Sequence, residues 1–516
     1  MQSRNQEIRR AREYHARTMH SPHSVRTSGH RLDWDTKPLP FKIYADLPAI
    51  PLPRDFPAVA ADTFAALCAT PAPSSPLDLE RLAALLFFSA GVTKTMTYPS
   101  GVEVHFRAAP STGALYQTEV YVVAGDVSGL AAGVYHFCPG DFALRRLREG
   151  DFRGAVALAA AAESVAARPA TLILSAIYWR NTWKYQARGY RHLFWDSGTL
   201  LAHLLASATA LQYPAPLVTG FVDGEVNAIL GLDAAREGAL VLVPVGGEGR
   251  PAPPPPVLSP LDARVVPLSS SEVEYPLLVQ AYADSSLDGE PEVLDWRERA
   301  GALGDAPVAP SRDHVPLPPP RMTAGRALGE TIQSRGSTRE FSGASISAVE
   351  LSSALFHGTR GVAADVPTGV VDLYLTVHAV DGIAPGAYVY HRTLHALELL
   401  ETGDFRAEAA FLCLDQALGG ASAVTVFFLA DVERILSSAG NRGYRMANLE
   451  AGIIGGKLYL GGYAQRFGAT GLTFYDREVV QFFSPHALGK DAIFVTALGR
   501  SVTRAPRMAA PLRPTR

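Results

Sequence analysis

Gly189-Tyr190-Arg191 recurs as Gly443-Tyr444-Arg445, 254 residues later. The same offset of 254 carries Asp196 to Glu450, Gly198 to Gly452 and Phe221 to Tyr475. At an offset of 253, Gly133 and Tyr135 return as Gly386 and Tyr388, and Gly150-Asp151-Phe152-Arg153 returns unchanged as Gly403-Asp404-Phe405-Arg406. One offset held to within a residue over such a span points to tandem duplication. A chain of 516 residues is too long for a single core, and each copy has the size of an ordinary domain.

The tract between the copies includes Arg250-Pro-Ala-Pro-Pro-Pro-Pro256 and Pro316-Leu-Pro-Pro-Pro320. Proline at that density blocks helices and sheet ladders and acts as a semi-rigid spacer. The expected organisation is an extended N-terminal arm at 1–54, one domain at 55–248, a linker at 249–322 with a helix around Glu272 to Leu287, a second domain at 323–505, and a tail at 506–516. Both copies read alike: a helix (Leu77–Ser89; Ala348–Phe356), strands at Glu119–Val123 and Val134–Cys138 (Leu373–Ala379 and Ala387–Tyr390), an apolar β run (Thr171–Ile177; Ala423–Ala430), a long apolar helix (Asp196–Leu211; Glu450–Phe467) and a last strand (Ala239–Val245; Ile493–Leu498). Leu200, Leu201, Leu204 and Leu205 cover two faces of the first long helix, which predicts burial between the copies. The expected fold is a two-layer α+β pseudo-dimer within one chain.

Composition removes several classes. With 47% hydrophobic and 19% charged residues the chain reads as globular. A net charge of −3 offers no general attraction to nucleic acid or anionic membranes, and no apolar run reaches bilayer length. The basic first residues are followed by no apolar stretch, so no signal peptide is expected. Cys68, Cys138 and Cys413 share no close spacing, which argues against disulfides, structural zinc and iron–sulfur clusters and favours a reducing cytoplasm. His20-x-x-His23 has no third ligand nearby, and no metal site is expected.

Two stretches could carry chemistry. Ser334-Arg335-Gly336-Ser337-Thr338-Arg339-Glu340-Phe341 sets two guanidinium groups four residues apart around a hydroxyl and a glycine, a pattern that suits a phosphate and equally a solvated helix end. Pro110-Ser111-Thr112-Gly113-Ala114-Leu115-Tyr116 leads into a strand and would let backbone approach a flat ligand, or make an ordinary turn. The second copy has the shorter Pro367-Thr368-Gly369-Val370 there, and the first copy has no Arg-x-Ser-x-Arg at its start. Each copy keeps what the other lacks.

Together these residues resemble the nitroreductase superfamily. Arg335-Gly-Ser-Thr-Arg339-Glu-Phe341 resembles its opening phosphate-binding signature. Pro110 to Tyr116, with Leu32-Asp33-Trp34, Pro40-Phe41-Lys42 and Leu47-Pro48, is similar to its SagB-type branch of flavin dehydrogenases, which includes tandem forms. The resemblance implies two fused nitroreductase-like domains with FMN between them. Arg335, Gly336, Ser337 and Arg339 would hold the phosphate with help from Arg500. Pro110, Ser111, Thr112, Gly113 and Ala114 would line the ring, and Gly471 and Leu472 would approach its N5 edge. Lys184-Tyr185 matches by position the pair that the branch uses to remove a substrate proton, although a loop lysine beside a packed tyrosine would look the same. The mirror-related site lacks both halves and is expected to be empty, unless His20-Ser21-Pro22-His23-Ser24-Val25-Arg26 substitutes a phosphate grip.

The implied activity is FMN-dependent dehydrogenation of an azoline-type heterocycle or modified amino acid, carried by a small molecule or peptide, with oxygen or NAD(P)H as redox partner. An NAD(P)H-dependent nitro or quinone reductase is the alternative, and it needs no Gly-x-Gly-x-x-Gly fingerprint. A degenerate flavin-binding or scaffold protein is the third reading.

Overall fold

Each apolar, β-branched run becomes a strand within about two residues of its expected ends. They are Thr118–Ala124, Gly133–Cys138, Ala170–Ile177 and Glu237–Val245, then Asp372–Val377, Gly386–His391, Val424–Ala430 and Asp491–Gly499. The computed structural model describes residues 3–69, 71, 76–97, 103–304 and 314–502. The tail 506–516 and residues 305–313 of the expected linker lie outside them.

Two antiparallel sheets result. The first has the order Ala49–Pro51, Ala143–Glu149, Gly133–Cys138, Thr118–Ala124, Ala170–Ile177, Glu237–Val245. The second reads His314–Pro316, Ala396–Thr402, Gly386–His391, Asp372–Val377, Val424–Ala430, Asp491–Gly499, Gly468–Gly471. From the edge strand inward the two follow one plan. The strands next to the edge, Ala143–Glu149 and Ala396–Thr402, escaped sequence reading because they carry charges where a core strand would be apolar.

The central strands are apolar on both faces, and that corrects the two-layer expectation. Val120, Val122 and Leu172 pack in one cluster with Leu201 and Leu204 of the helix Gly189–Ala210. Tyr121, Val123 and Ile173, their neighbours along the strands, pack in another with Val156 and Ile229 of the helices Arg153–Ala159 and Asp223–Leu230. Helices therefore cover both faces of the first sheet, because period-2 alternation offers an apolar side to each.

The halves meet along Gly189–Ala210 and the long helix Val432–Ala464, both almost wholly buried. They cross at Gly198 and Gly452, residues 254 apart in sequence. A Cβ on Gly198 would lie 2.5 Å from the Leu449 carbonyl oxygen, and one on Gly452 would lie 2.4 Å from that of Trp195. Only glycine permits this approach. Tyr190 and Tyr444 stack nearby with rings 6.5 Å apart and 1° from parallel.

Two buried ion clusters lock the same interface reciprocally. Arg188 and Arg191 reach Asp476 at 2.8 and 2.6 Å, while Arg442 and Arg445 reach Asp223 at 2.6 and 2.7 Å. Each half supplies arginines to the other's aspartate, the exchange expected of a two-fold contact.

The N-terminal arm is not extended, as expected, but carries the helices Arg9–Arg17 and Pro22–Thr27. Ala11, Tyr14, His15 and Thr18 fall on one helical face and are buried, with Tyr14 against the Tyr190 and Tyr444 rings at 5.1 and 5.9 Å. The linker holds the expected helix at Pro276–Asp284 and a second at Glu290–Ala300, anchored by buried Tyr282 and Trp296. No helix among the described residues is long and apolar enough to cross a membrane.

Candidate functional site

The loop Pro110–Tyr116 reaches its strand through three departures from ordinary backbone, with positive φ at Gly113, Ala114 and Tyr116. Asp196, from the interfacial helix, holds it there. Its carboxylate accepts from Ser111 Oγ at 2.5 Å, Thr112 N–H at 2.9 Å, Thr112 Oγ1 at 2.6 Å and Gln117 Nε2 at 2.7 Å. Burial pushes the Asp196 carboxyl up, and these donors pull it back toward ionisation. The hydroxyls of Ser111 and Thr112 are thus committed to Asp196, and what the loop offers a ligand is the surface of Pro110, Gly113 and Ala114.

Arg335 arrives from the other half of the chain. It leaves the C-terminus of the helix Leu328–Ser334 and donates through Nε to the Ala108 carbonyl at 2.7 Å and through Nη2 to that of Arg107 at 2.9 Å. The phosphate-type segment is therefore tied across the halves to the backbone that leads into the Pro-Ser-Thr-Gly loop. Arg335 is half-buried, and among the described residues no carboxylate pairs with it. Desolvation lowers its pKa, while the tyrosines 116, 459 and 463 raise it. An enclosed cation without a counter-ion is costly until an anion joins it.

Behind Arg335, Tyr459 ties two expected site segments together. Its hydroxyl lies 3.3 Å from Ser337 Oγ and accepts the Gly471 N–H at 2.6 Å. Gly471 ends the edge strand Gly468–Gly471 and is exposed, whereas Leu472 is buried. Arg500 is placed otherwise: its guanidinium grips both oxygens of Glu350 at 2.7 and 2.8 Å, at the start of the helix Ala348–Gly358. Its backbone carbonyl, not its side chain, supports the signature segment by accepting the Ser342 N–H at 2.8 Å.

Lys184 and Tyr185 lie in the last turn of the helix Tyr178–Tyr185, not in a loop. The Lys184 ammonium sits 5.3 Å from the centre of the Tyr185 ring. A Cβ on Gly113 would lie 3.0 Å from the Tyr185 hydroxyl, so the pair borders the loop. Burial and the positive charge of Arg339 hold the Lys184 pKa down; burial and Asp196 push the Tyr185 phenol up. Arg339, of the second half, thus acts on a pair from the first. The next residue, Gln186, has φ 52° and ψ −147°. Gly440, the residue 254 later, takes nearly the same shape at φ 63° and ψ −163°. A non-glycine residue held there stores strain of about 1–3 kcal/mol, directly beside Lys184-Tyr185.

Sequence reading missed three members. Asp196 was visible only as one end of a repeat pair, and Tyr459 only as a polar residue within an apolar helix. His192 is the third: its ring packs 4.4 Å from Tyr185 and 4.6 Å from Trp195, and burial drives its pKa far down. Neither ring nitrogen of His192 has a hydrogen-bond partner among the described residues. Of the possible substitute grip at His20–Arg26, the His20 N–H donates to Asp476, and Pro22–Thr27 forms a short helix capped by Ser21.

Comparison with known proteins identifies the family. Residues 73–247 match the Nitroreductase family. A protein of Methanocaldococcus jannaschii assigned as a nitroreductase is 35% identical over 174 residues, which are 34% of this chain and 82% of the relative. A crystal structure from Anabaena variabilis, likewise assigned as a nitroreductase, aligns with 96% of this chain and 99% of its own, at 26% identity and a TM-score of 0.75. One from Ralstonia eutropha is 22% identical over 40% of this chain and 97% of its own, with a TM-score of 0.31. With a relative matched over most of its length at such identity, the chain belongs to the nitroreductase family and is an oxidoreductase of flavin type.

Proposed function

We propose that the chain is two copies of one nitroreductase-like domain folded face to face, and that the cleft between Pro110–Tyr116 and Arg335–Arg339 holds one FMN. The observation that carries this is Arg335, a cation reaching across the halves with carbonyls but no carboxylate as partners among the described residues. Arg335 and Arg339 would neutralise a phosphate while Ser337 and the Gly336 backbone meet its remaining oxygens. Pro110, Ala114 and Gly471 would line the flat ring beside them.

The reaction proposed is SagB-type dehydrogenation of an azoline-type heterocycle or modified amino acid. Bound flavin supplies a hydride acceptor. Lys184 takes the substrate proton on Nζ, and its lowered pKa keeps more of the amine neutral near pH 7. Tyr185 and the strained Gln186 fix where that amine points. Asp196 keeps the loop in register without touching the substrate. The electrons pass on to oxygen or a nicotinamide.

A second reading rests on the assignment of the matched relatives: flavin reduced by NAD(P)H and reoxidised by a nitroaromatic or quinone. The purified full chain decides between them. One FMN per chain, oxidation of a peptidyl thiazoline, and loss of that activity in Lys184→Ala with flavin retained support dehydrogenation. Rapid bleaching by NADPH, with Lys184→Ala fully active, supports the reductase. A colourless chain that takes up no FMN on titration overturns both.

A further inference from the structure

A second polar cluster lies on the other sheet, away from the cleft. Alternation along the strands puts its members on one face. Tyr374 pairs across the ladder with Val389, Val389 with Glu398, and Glu398 with His314; His391 stands two residues beyond Val389. The opposite face is the one that meets the long helix, since Phe494 abuts Gly455 and lies in register with Phe428, itself paired with Leu373. The cluster therefore faces away from the helix Val432–Ala464 and from Tyr459. The turn after the helix Asp476–Phe482 brings His486 over it.

Three imidazoles converge on one carboxylate oxygen. The Nε2 atoms of His391, His314 and His486 lie 2.6, 3.7 and 3.8 Å from Glu398 Oε2. Ligand atoms of His314, His391 and Glu398 all fall within 4.8 Å of one another. Zinc bonds of about 2.0–2.2 Å at tetrahedral angles put neighbouring ligand atoms about 3.3 Å apart, inside the observed spread. The orientation of His486 is fixed from behind, because its Nδ1 lies 2.9 Å from the Tyr374 hydroxyl and leaves Nε2 for the centre. Such a partner behind a ligating imidazole is what metal sites use to set the ring and its tautomer. The His486 and Glu398 side chains are 34% and 23% exposed, which gives an ion a way in.

We propose that His314, His391, His486 and Glu398 form a site for one first-row transition-metal ion, with zinc as the reference. His314, His391 and Glu398 are the mutually close ligands, and His486, 3.8 Å from Glu398 Oε2, would close the fourth position and make the site structural. The ion would replace the proton shared by His391 and Glu398, which leaves as binding occurs. It would fasten the edge strand His314–Pro316 and the His486 turn to the strands between them.

The test uses the full chain without a polyhistidine tag, stripped with a chelator and titrated with Zn²⁺ and with Co²⁺. Expected are one equivalent per chain, the intense visible bands of tetrahedral cobalt, and a zinc-dependent rise in melting temperature. Glu398→Gln and His391→Ala should weaken zinc binding at least 10-fold and abolish the rise, and Tyr374→Phe should weaken it about 10–100-fold. All three should keep the metal-free melting temperature and flavin content of the parent. No uptake at equimolar zinc, or the same affinity in parent and variants, overturns the proposal and leaves the flavin reading untouched.

Discussion

The loops that enter the two equivalent strands, Thr118–Ala124 and Asp372–Val377, are fastened alike and used differently. Asp196 holds the first through Ser111, Thr112 and Gln117, and Glu450, 254 residues later, holds the second through the N–H groups of Gly369 and Val370 at 2.9 and 3.1 Å. Beside the first loop the cation comes from the opposite half, as Arg335. Beside the second, Arg392 donates to the Val371 carbonyl and Arg360 to that of Arg392, within one half, while Lys457 donates to the carbonyls of Leu67, from the other half, and Arg360. The two halves repeat one strand plan. Arg335 crosses to carbonyls of the opposite half, whereas Arg392 and Arg360 are tied to carbonyls of their own half.

The largest effects should fall on what the halves share. Asp476→Asn leaves Arg188 and Arg191 buried without a counter-charge, and Asp223→Asn does the same to Arg442 and Arg445. Each should cost about 3–5 kcal/mol by chemical denaturation. If one is nearly silent, the two-fold reading of the interface breaks. Arg188 and Arg191 hold the Asp476 pKa down at about 2, from 3.8. A depressed carboxylate contributes stability that is present above its unfolded pKa and lost as pH falls through the folded one. About 2 kcal/mol should therefore disappear between roughly pH 5 and pH 2, and Asp476→Asn should flatten that limb of the stability profile.

Flavin binding should separate the clefts. Arg335→Ala removes a cation from the first and should raise the FMN dissociation constant roughly 30- to 150-fold, about 2–3 kcal/mol. Arg392→Ala, in the second, should leave it within about twofold. Flavin fluorescence on titration reads both. Equal losses would mean that both clefts bind, or that neither does.

The backbone break between the helices sharpens the contrast further. Gln186→Gly gives the first half what Gly440 gives the second, and should stabilise by about 1 kcal/mol, the released strain less the entropy of glycine. Gly440→Gln adds strain and sets a Cβ 2.4 Å from the Asn5 carbonyl oxygen. It should cost about 2 kcal/mol or more in thermal melts. If Gln186→Gly changes nothing, the bend beside Lys184 stores no strain.

The repeat made the plan of both halves readable because strands and helices answer to local periodicity. The Asp196–Glu450 correspondence was visible as an offset, but not that both carboxylates hold loops, since that depends on where a helix lies against a turn distant in sequence. The covering helices Arg153–Ala159 and Asp223–Leu230 went unread because they are short and weakly amphipathic. The arm looked extended because its apolar face, Ala11, Tyr14 and His15, is small and makes sense only against Tyr190 and Tyr444. Arg500 illustrates the limit of a motif: position predicts a phosphate contact, and Glu350, far away in sequence, takes the guanidinium instead.

The smallest expected effect concerns a charge that crosses between the halves. Arg339 lowers the Lys184 pKa, second to burial. If Lys184 accepts the proton, turnover rises with pH as the amine loses its charge. Taking away a nearby positive charge makes the ammonium easier to keep, so Arg339→Ala should move that rise to higher pH by about half a unit. The comparison must be made at saturating flavin, because Arg339 also faces the proposed phosphate. A pH–rate profile in which the rise stays put, while Lys184→Ala removes it altogether, would mean that Arg339 serves the cofactor alone.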